Sequence, residues 1–232
     1  LLGFGNSLGS CGYAGPKRGE AAKASRPIST KGEGMGGLVE DVICRQTMVV
    51  AGGRVAAAWS PLGLVALTLP REDEGEALRA LESVLVPWRA ALARTGSTTE
   101  QEPLCHGSVA EHRERLAVLL QEYFLGRKVD FAGVPVDWRG YTPFTREVLA
   151  ATRTIPWGAT RSYGEVAALL GRPRAARAVG RALAANRTPV VVPCHRVVPG
   201  TGAPGGFTGG VGWKERLLQG EGVFCPAAVR AT

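Results

Sequence analysis

The sequence predicts an α+β protein: a small N-terminal sheet-and-helix domain followed by a mainly helical C-terminal domain with a helix-turn-helix. Three observations carry this reading. Clusters of β-branched and apolar residues punctuated by glycine fill the region from Val39 to Leu69. Helical spacing dominates after that, in longer segments first and in short capped ones later. The charge also divides at one place. Residues 1–140 hold 16 basic and 16 acidic residues, whereas 141–232 hold 12 against 4, so the whole net charge of +8 sits in the second part. A chain of 232 residues with 45% hydrophobic and 21% charged residues has the composition of a folded domain, which excludes disordered and collagen-like classes. Its longest apolar stretches, such as Gly63 to Leu69, fall far short of the roughly 20 residues a membrane helix needs.

Residues 1–34 are rich in Gly, Lys and Ser and carry no periodic apolar pattern, so they are expected to be a tail. The N-terminal α+β domain is placed at 35–130. Met48-Val49-Val50 and Gly63 to Leu67 read as antiparallel strands separated by Gly52-Gly53 and by Ser60-Pro61-Leu62-Gly63. Glu74 to Leu92 and Val109 to Leu125 have apolar residues at helical spacing, with a short strand expected between them at Glu100 to Cys105. The Gly- and Pro-containing stretch 131–140 reads as a linker. The C-terminal domain is placed at 141–226, with a tail at 227–232.

Within that domain Phe144 to Ile155 forms one helix. Ser162-Tyr163-Gly164-Glu165 is a capping box that opens a second, which Gly171 can close in a left-handed conformation. Pro173 suits the first turn of a third, running through Arg177, Val179 and Leu183 to Asn186. Two short helices joined by a glycine turn, the second basic, fit a helix-turn-helix. Seven arginines and a single acid between Thr160 and Arg196 point to a polyanionic partner, nucleic acid ahead of a membrane surface.

The chemistry-bearing segment is Thr188 to Val198, expected as an apolar strand carrying Pro193-Cys194-His195-Arg196. A free thiol is only a few per cent ionised at neutral pH, so a nucleophilic Cys194 needs a neighbouring base or positive field, and His195 and Arg196 can supply both. On an extended segment adjacent side chains diverge, so His195 would reach the Cys194 sulfur through a bridging water. The histidine then needs an orienting acceptor. The later helix, from Trp213 to Gln219, delivers Glu221, one of the four acids in this part. The reading is therefore a Cys-water-His-Glu relay.

Pro193-Cys194-His195-Arg196 resembles the active-site motif of the O6-alkylguanine-DNA alkyltransferases, or methylated-DNA-protein-cysteine methyltransferases. The resemblance extends through Arg161 to Ala167, Ala178 to Leu183, Asn186, Pro193 to Val198 and Gly205 to Gly210, and on to Lys214 and Leu217-Leu218. It implies a single-turnover DNA repair protein. Cys194 would take the alkyl group from guanine O6, or from thymine O4, as a permanent thioether, with the base flipped out of the duplex. His195 would remove the thiol proton through water and Glu221 would orient it. Arg177 would fill the vacated stack, and Tyr163 would press on the neighbouring phosphate and help protonate the departing guanine. Asn186 would tie the recognition helix to the active-site turn. Ala176 and Gly180 would let that helix approach DNA in the minor groove, and Arg196 is counted among the DNA contacts. Backbone groups at Cys194 and Val197 would hold the base edge, Leu183 and Pro189 would wall the pocket, and Phe207 and Thr208 would close over it. Relatives often carry Tyr where this chain has Phe207.

The partner implied is alkylated double-stranded DNA with little sequence preference, bound by a monomer. No dissociable cofactor and no metal are expected: Cys44, Cys105, His106 and His112 lack the close spacing of a zinc site. The five scattered cysteines suit a reducing compartment, cytoplasmic in a prokaryote or nuclear in a eukaryote. Three alternatives predict different behaviour: a lesion-binding module would leave the thiol untouched, a cysteine hydrolase would turn over, and a DNA-binding regulator would footprint defined sequences.

Overall fold

The computed structural model describes residues 43–95, 106–200 and 205–223. The expected tails at 1–34 and 227–232 and the expected strand at 100–105 lie outside the described residues. Strands β1 (Cys44–Val50), β2 (Gly53–Ser60) and β3 (Gly63–Leu67) form an antiparallel sheet in the order β1-β2-β3. Val50 pairs with Gly53 across the first turn. Gly53 has φ 137°, and the Arg71 backbone lies where its Cβ would stand, so the turn requires glycine.

Strand β2 reads Val-Ala-Ala-Ala-Trp without polar alternation because both of its faces are covered. Ala56 and Ala58 face helix α1 (Glu74–Thr95) through Leu81, Leu85 and Trp88. Val55, Ala57 and Trp59 face helix α2 (His106–Phe124) through Leu116, Leu120 and Tyr123. Asp73 caps α1, its Oδ1 accepting from the Glu76 N–H at 2.7 Å.

The 131–140 stretch is built into the fold rather than strung between two parts. Phe131, Val134 and Val136 are buried. Leu64 N–H donates to Pro135 O and Asp137 N–H to Leu64 O, both at 2.9 Å, which covers the exposed edge of β3. Asp137 is fully buried, with the Ser60 hydroxyl at 2.7 Å and Arg139 Nη2 at 2.6 Å. Farther along β3, Leu67 N–H donates to Arg187 O at 2.8 Å. Val190, Val191 and Leu217 sit in the same apolar cluster as Trp59 and Leu64, so the two halves share a core.

The C-terminal half contains α3 (Pro143–Arg153), α4 (Tyr163–Leu169), α5 (Ala176–Ala184) and α6 (Val211–Gly220). A two-stranded parallel pair joins β4 (Arg161–Ser162) to β5 (Val197–Val198). The α+β class read from the sequence is the class observed. The capping box is present in both directions: Ser162 N–H donates to Glu165 Oε2 at 2.6 Å, and Glu165 N–H to Ser162 Oγ at 3.1 Å. Gly171, at φ 69°, closes α4, with its own N–H on Ala168 O and Arg172 N–H on Ala167 O, both 2.9 Å.

Two further expectations change. Pro173 lies in the turn before α5, which begins three residues later at Ala176. The apolar run 188–198 is not a strand apart from β5. Pro189 and Pro193 have no N–H for a ladder. Val192 N–H turns back to Thr188 O at 2.9 Å, and Cys194–Arg196 forms one turn of 3-10 helix.

Candidate active site

The 3-10 turn brings Cys194 and His195 inward together. Cys194 is 8% exposed and His195 is fully buried. Just upstream, Val190 is held at φ 72°, a conformation costly for a β-branched residue, in the loop that leads into this turn.

Asn186, directly after α5, is the tie between that helix and the thiol. Its Nδ2 donates to Val192 O at 2.9 Å and to Cys194 Sγ at 3.0 Å, while its Oδ1 accepts from Thr188 N–H at 3.0 Å. The amide orientation follows from these partners.

Glu221, the C-cap residue of α6, lies beneath the histidine. Its Oε1 is 2.8 Å from His195 Nε2, and the Arg196 guanidinium donates to both carboxylate oxygens, through Nε at 2.8 Å and Nη2 at 2.9 Å. Gly158 N–H adds a longer bond at 3.3 Å. Burial alone would raise this carboxyl, but the His195 and Arg196 bonds and charges outweigh it and hold Glu221 down at about 2. An ionised Glu221 accepts only, so the proton of the neutral imidazole sits on Nε2 and Nδ1 is the basic nitrogen. Nδ1 is buried and has no hydrogen-bond partner among the described residues.

Burial pushes the His195 pKa down, against the pull of Glu221, so the ring rests neutral. Burial also pushes the Cys194 thiol up, opposed by the Asn186 bond and by the charge of Lys214. A protonated thiol beside a neutral imidazole with a free basic nitrogen is set for proton removal on demand rather than for a standing thiolate.

Arg196, expected on DNA, is instead buried at 6% exposure, held by Glu221 and by Ile155 O. Arg187 is also buried, stacked 3.9 Å from the Tyr141 ring centroid. Of the seven arginines between Thr160 and Arg196, Arg172, Arg174, Arg177 and Arg181 are the exposed ones, and Arg172 is paired with Glu147 at 2.8 Å. Arg177 and Arg181, four apart, share one face of α5, and Arg174 stands in the turn before it.

Tyr163 opens α4, half-buried. Burial and the nearby Cys194 raise its phenol, so the hydroxyl keeps its proton. Gly180 turns toward that ring, where a Cβ would sit 3.7 Å from it, and Ala176, one turn earlier on the same side of α5, is half-buried. The small residues of α5 thus serve its closeness to α4 as well as any outward contact. Leu183 is buried in the cluster that holds Cys194. Pro189 is half-buried. Val197 already bonds within the protein: its N–H donates to Cys194 O and its carbonyl accepts from Lys214 Nζ at 2.7 Å. The second carbonyl lone pair remains for another donor. Phe207 packs on both core clusters, and Thr208, exposed, donates to Ala184 O at 3.2 Å.

Two participants were given no role from the sequence. Lys214 is 1% exposed, and its signal was available: it is the only lysine after residue 140. Tyr123, on α2, donates to Glu221 Oε1 at 2.8 Å from 98 positions away, and nothing local in the sequence marks it. No group of three His, Cys, Asp or Glu side chains among the described residues is arranged to hold a metal ion. No helix among them is long and apolar enough to cross a membrane.

A sequence model of the 6-O-methylguanine DNA methyltransferase DNA binding domain matches residues 143–223. A methylated-DNA-protein-cysteine methyltransferase of Mycolicibacterium paratuberculosis is 38% identical over 170 residues, spanning 73% of this chain and 93% of that protein. The Salmonella typhimurium protein of the same name is 57% identical over 103 residues, 44% of this chain and 60% of its own length. The crystal structure of Mycobacterium tuberculosis OGT in complex with DNA superimposes with a TM-score of 0.53 at 31% identity, covering 79% of this chain and 95% of that one.

Proposed function

This chain belongs to the methylated-DNA-protein-cysteine methyltransferase family, and on that premise we propose that it repairs DNA by one irreversible alkyl transfer to Cys194. The observation that carries the reading is the His195 imidazole, whose Nε2 is fixed by Glu221 and whose buried Nδ1 has no partner, next to a thiol held by Asn186.

In the proposed step His195 Nδ1 takes the Cys194 proton through a water. The thiolate attacks the alkyl carbon, the S–C bond forms as the C–O6 bond breaks, and the electron pair passes to guanine O6. The Tyr163 hydroxyl supplies the proton that neutralises the departing base. The protein retains a thioether, which water does not hydrolyse, so each molecule acts once.

The target base must leave the duplex, at a cost of a few kcal/mol. Arg177 stands exposed on α5 where it can enter the vacated stack. Arg174, in the turn before α5, and Arg181, on that helix, serve the phosphates, so binding is nearly indifferent to sequence. We assign α5 to the minor groove and the protein to a monomeric mode of action. Phe207 has no hydroxyl, so it contributes to the pocket by packing alone.

The test is incubation with a duplex carrying one O6-methylguanine, followed by peptide mass spectrometry across protein-to-DNA ratios. The expected result is one methyl on Cys194 and repair that stops at one lesion per molecule. Binding with an unmodified Cys194 would overturn the reading in favour of a lesion-binding module, and repeated turnover would overturn it in favour of a hydrolase.

A further inference from the structure

The alkyl-transfer relay lies in residues 186–221, yet one of its hydrogen bonds comes from the other half of the chain. Tyr123 sits near the end of α2, is 5% exposed, and donates its hydroxyl proton to Glu221 Oε1 at 2.8 Å. The same hydroxyl oxygen is 3.3 Å from His195 Nε2. Its ring is fixed edge-on by Phe124, Phe131 and Trp157, with centroids 5.3, 5.7 and 5.3 Å away. A phenol could have packed here with its hydroxyl turned elsewhere. Instead the oxygen meets the one carboxylate oxygen that faces the imidazole.

We propose that Tyr123 is a positioning residue for the transfer, supplied by the N-terminal half, which sets how strongly Glu221 draws on His195 and so how basic Nδ1 is. The charged groups facing His195 are Glu221, Arg196 and Lys214, with Tyr123 reaching it from α2. Glu221 favours the imidazolium, while Arg196 and Lys214 oppose it. A donor on Glu221 Oε1 spreads the carboxylate charge and weakens its pull on the Nε2 proton. Removing that donor leaves more negative charge on the oxygen and raises the basicity of the ring. The N-terminal half thereby completes a site whose other groups lie at Ile155 or beyond it.

This inference rests on the proposed transfer, and wild-type protein run in parallel separates the two. Tyr123→Phe removes only the oxygen and keeps the ring contacts. Its single-turnover methyl transfer, measured from pH 5 to 9, is expected to lose rate on the acid side, with the limb displaced upward by roughly 0.5 pH unit, about threefold in rate at a fixed pH on that limb. Phe131→Leu loosens the same packing without touching Glu221, and its limb is expected to match wild type. Should Tyr123→Phe fail to fold, 3-fluorotyrosine at position 123, a stronger donor, is expected to move the limb downward. A limb that superimposes on wild type in the folded variant overturns the inference, as does an equal displacement in Phe131→Leu. If wild-type protein transfers no methyl group, it is the alkyltransferase reading that fails.

Discussion

Glu221→Gln is the perturbation whose magnitude the structure fixes best. The carboxylate is 4% exposed and receives two bonds from Arg196, one from Tyr123, one from Gly158 and the His195 Nε2 contact. Replacing one oxygen by an amide leaves the buried Arg196 with Ile155 O and no counter-charge. Breaking a buried pair from one side costs about 3–5 kcal/mol. Linkage gives an independent figure. A carboxyl held at about 2 in the fold against 4.5 ordinarily couples its ionisation to folding by roughly 3 kcal/mol. Because the folded value is the lower one, this contribution is complete above the unfolded pKa and disappears as pH falls toward the folded one. Urea unfolding at a series of pH values reads it directly. The variant is expected to be about 3 kcal/mol less stable at pH 7, and the gap from wild type is expected to hold to about pH 4.5 and close toward pH 2. Methyl transfer should fall about 100-fold, since the imidazole loses the negative charge that favours its protonated form. A loss at pH 7 under about 1 kcal/mol, or a gap that stays constant on acidification, would refute the idea that this ion pair is both buried and closed.

Asn186→Ala is expected to cost about 1–2 kcal/mol through the orphaned Thr188 N–H, while the Val192 carbonyl keeps its bond from the Cys194 N–H, and to slow transfer roughly tenfold, checked by thermal melts beside single-turnover kinetics. Lys214→Met removes a charge that holds the Cys194 thiol down. The thiolate absorbance, taken as the difference from Cys194→Ala, should then appear at higher pH. Arg177→Ala, at an exposed position, should leave stability within about 0.5 kcal/mol while slowing repair of duplex substrate and sparing transfer from free O6-methylguanine.

Sequence reasoning reached the elements whose signals are local. The Ser162 capping box, the Gly171 closure and the turns around Gly53 and Gly63 each need only neighbours within a few positions. Glu221 was readable for a different reason, scarcity: few acids stand in the second half, and one closes a helix. Arg196 was misplaced because charge counting cannot say which arginine turns inward, and its partner lies 25 positions away. The 131–140 stretch carries glycine and proline like a linker, but two backbone bonds to Leu64 make it a sheet edge, and backbone pairing leaves no mark in side-chain composition. The 3-10 turn at Cys194 was hidden by valines that favour strands, against two prolines that forbid the ladder. Tyr123 shows the extreme case, a residue of an ordinary amphipathic helix that acquires its part only when the two halves close.

The core shared between the halves has a consequence for synthesis. Trp59 and Leu64 emerge from the ribosome well before Val190, Val191 and Leu217, which help bury them. The first sheet must therefore wait with one face incompletely covered and the edge of β3 unpaired until Pro135, and later Arg187, arrive. A nascent chain in that state offers an apolar surface and an open strand to its surroundings, so chaperones that hold nascent chains should matter more for the yield of this protein than the modest size of its N-terminal sheet suggests.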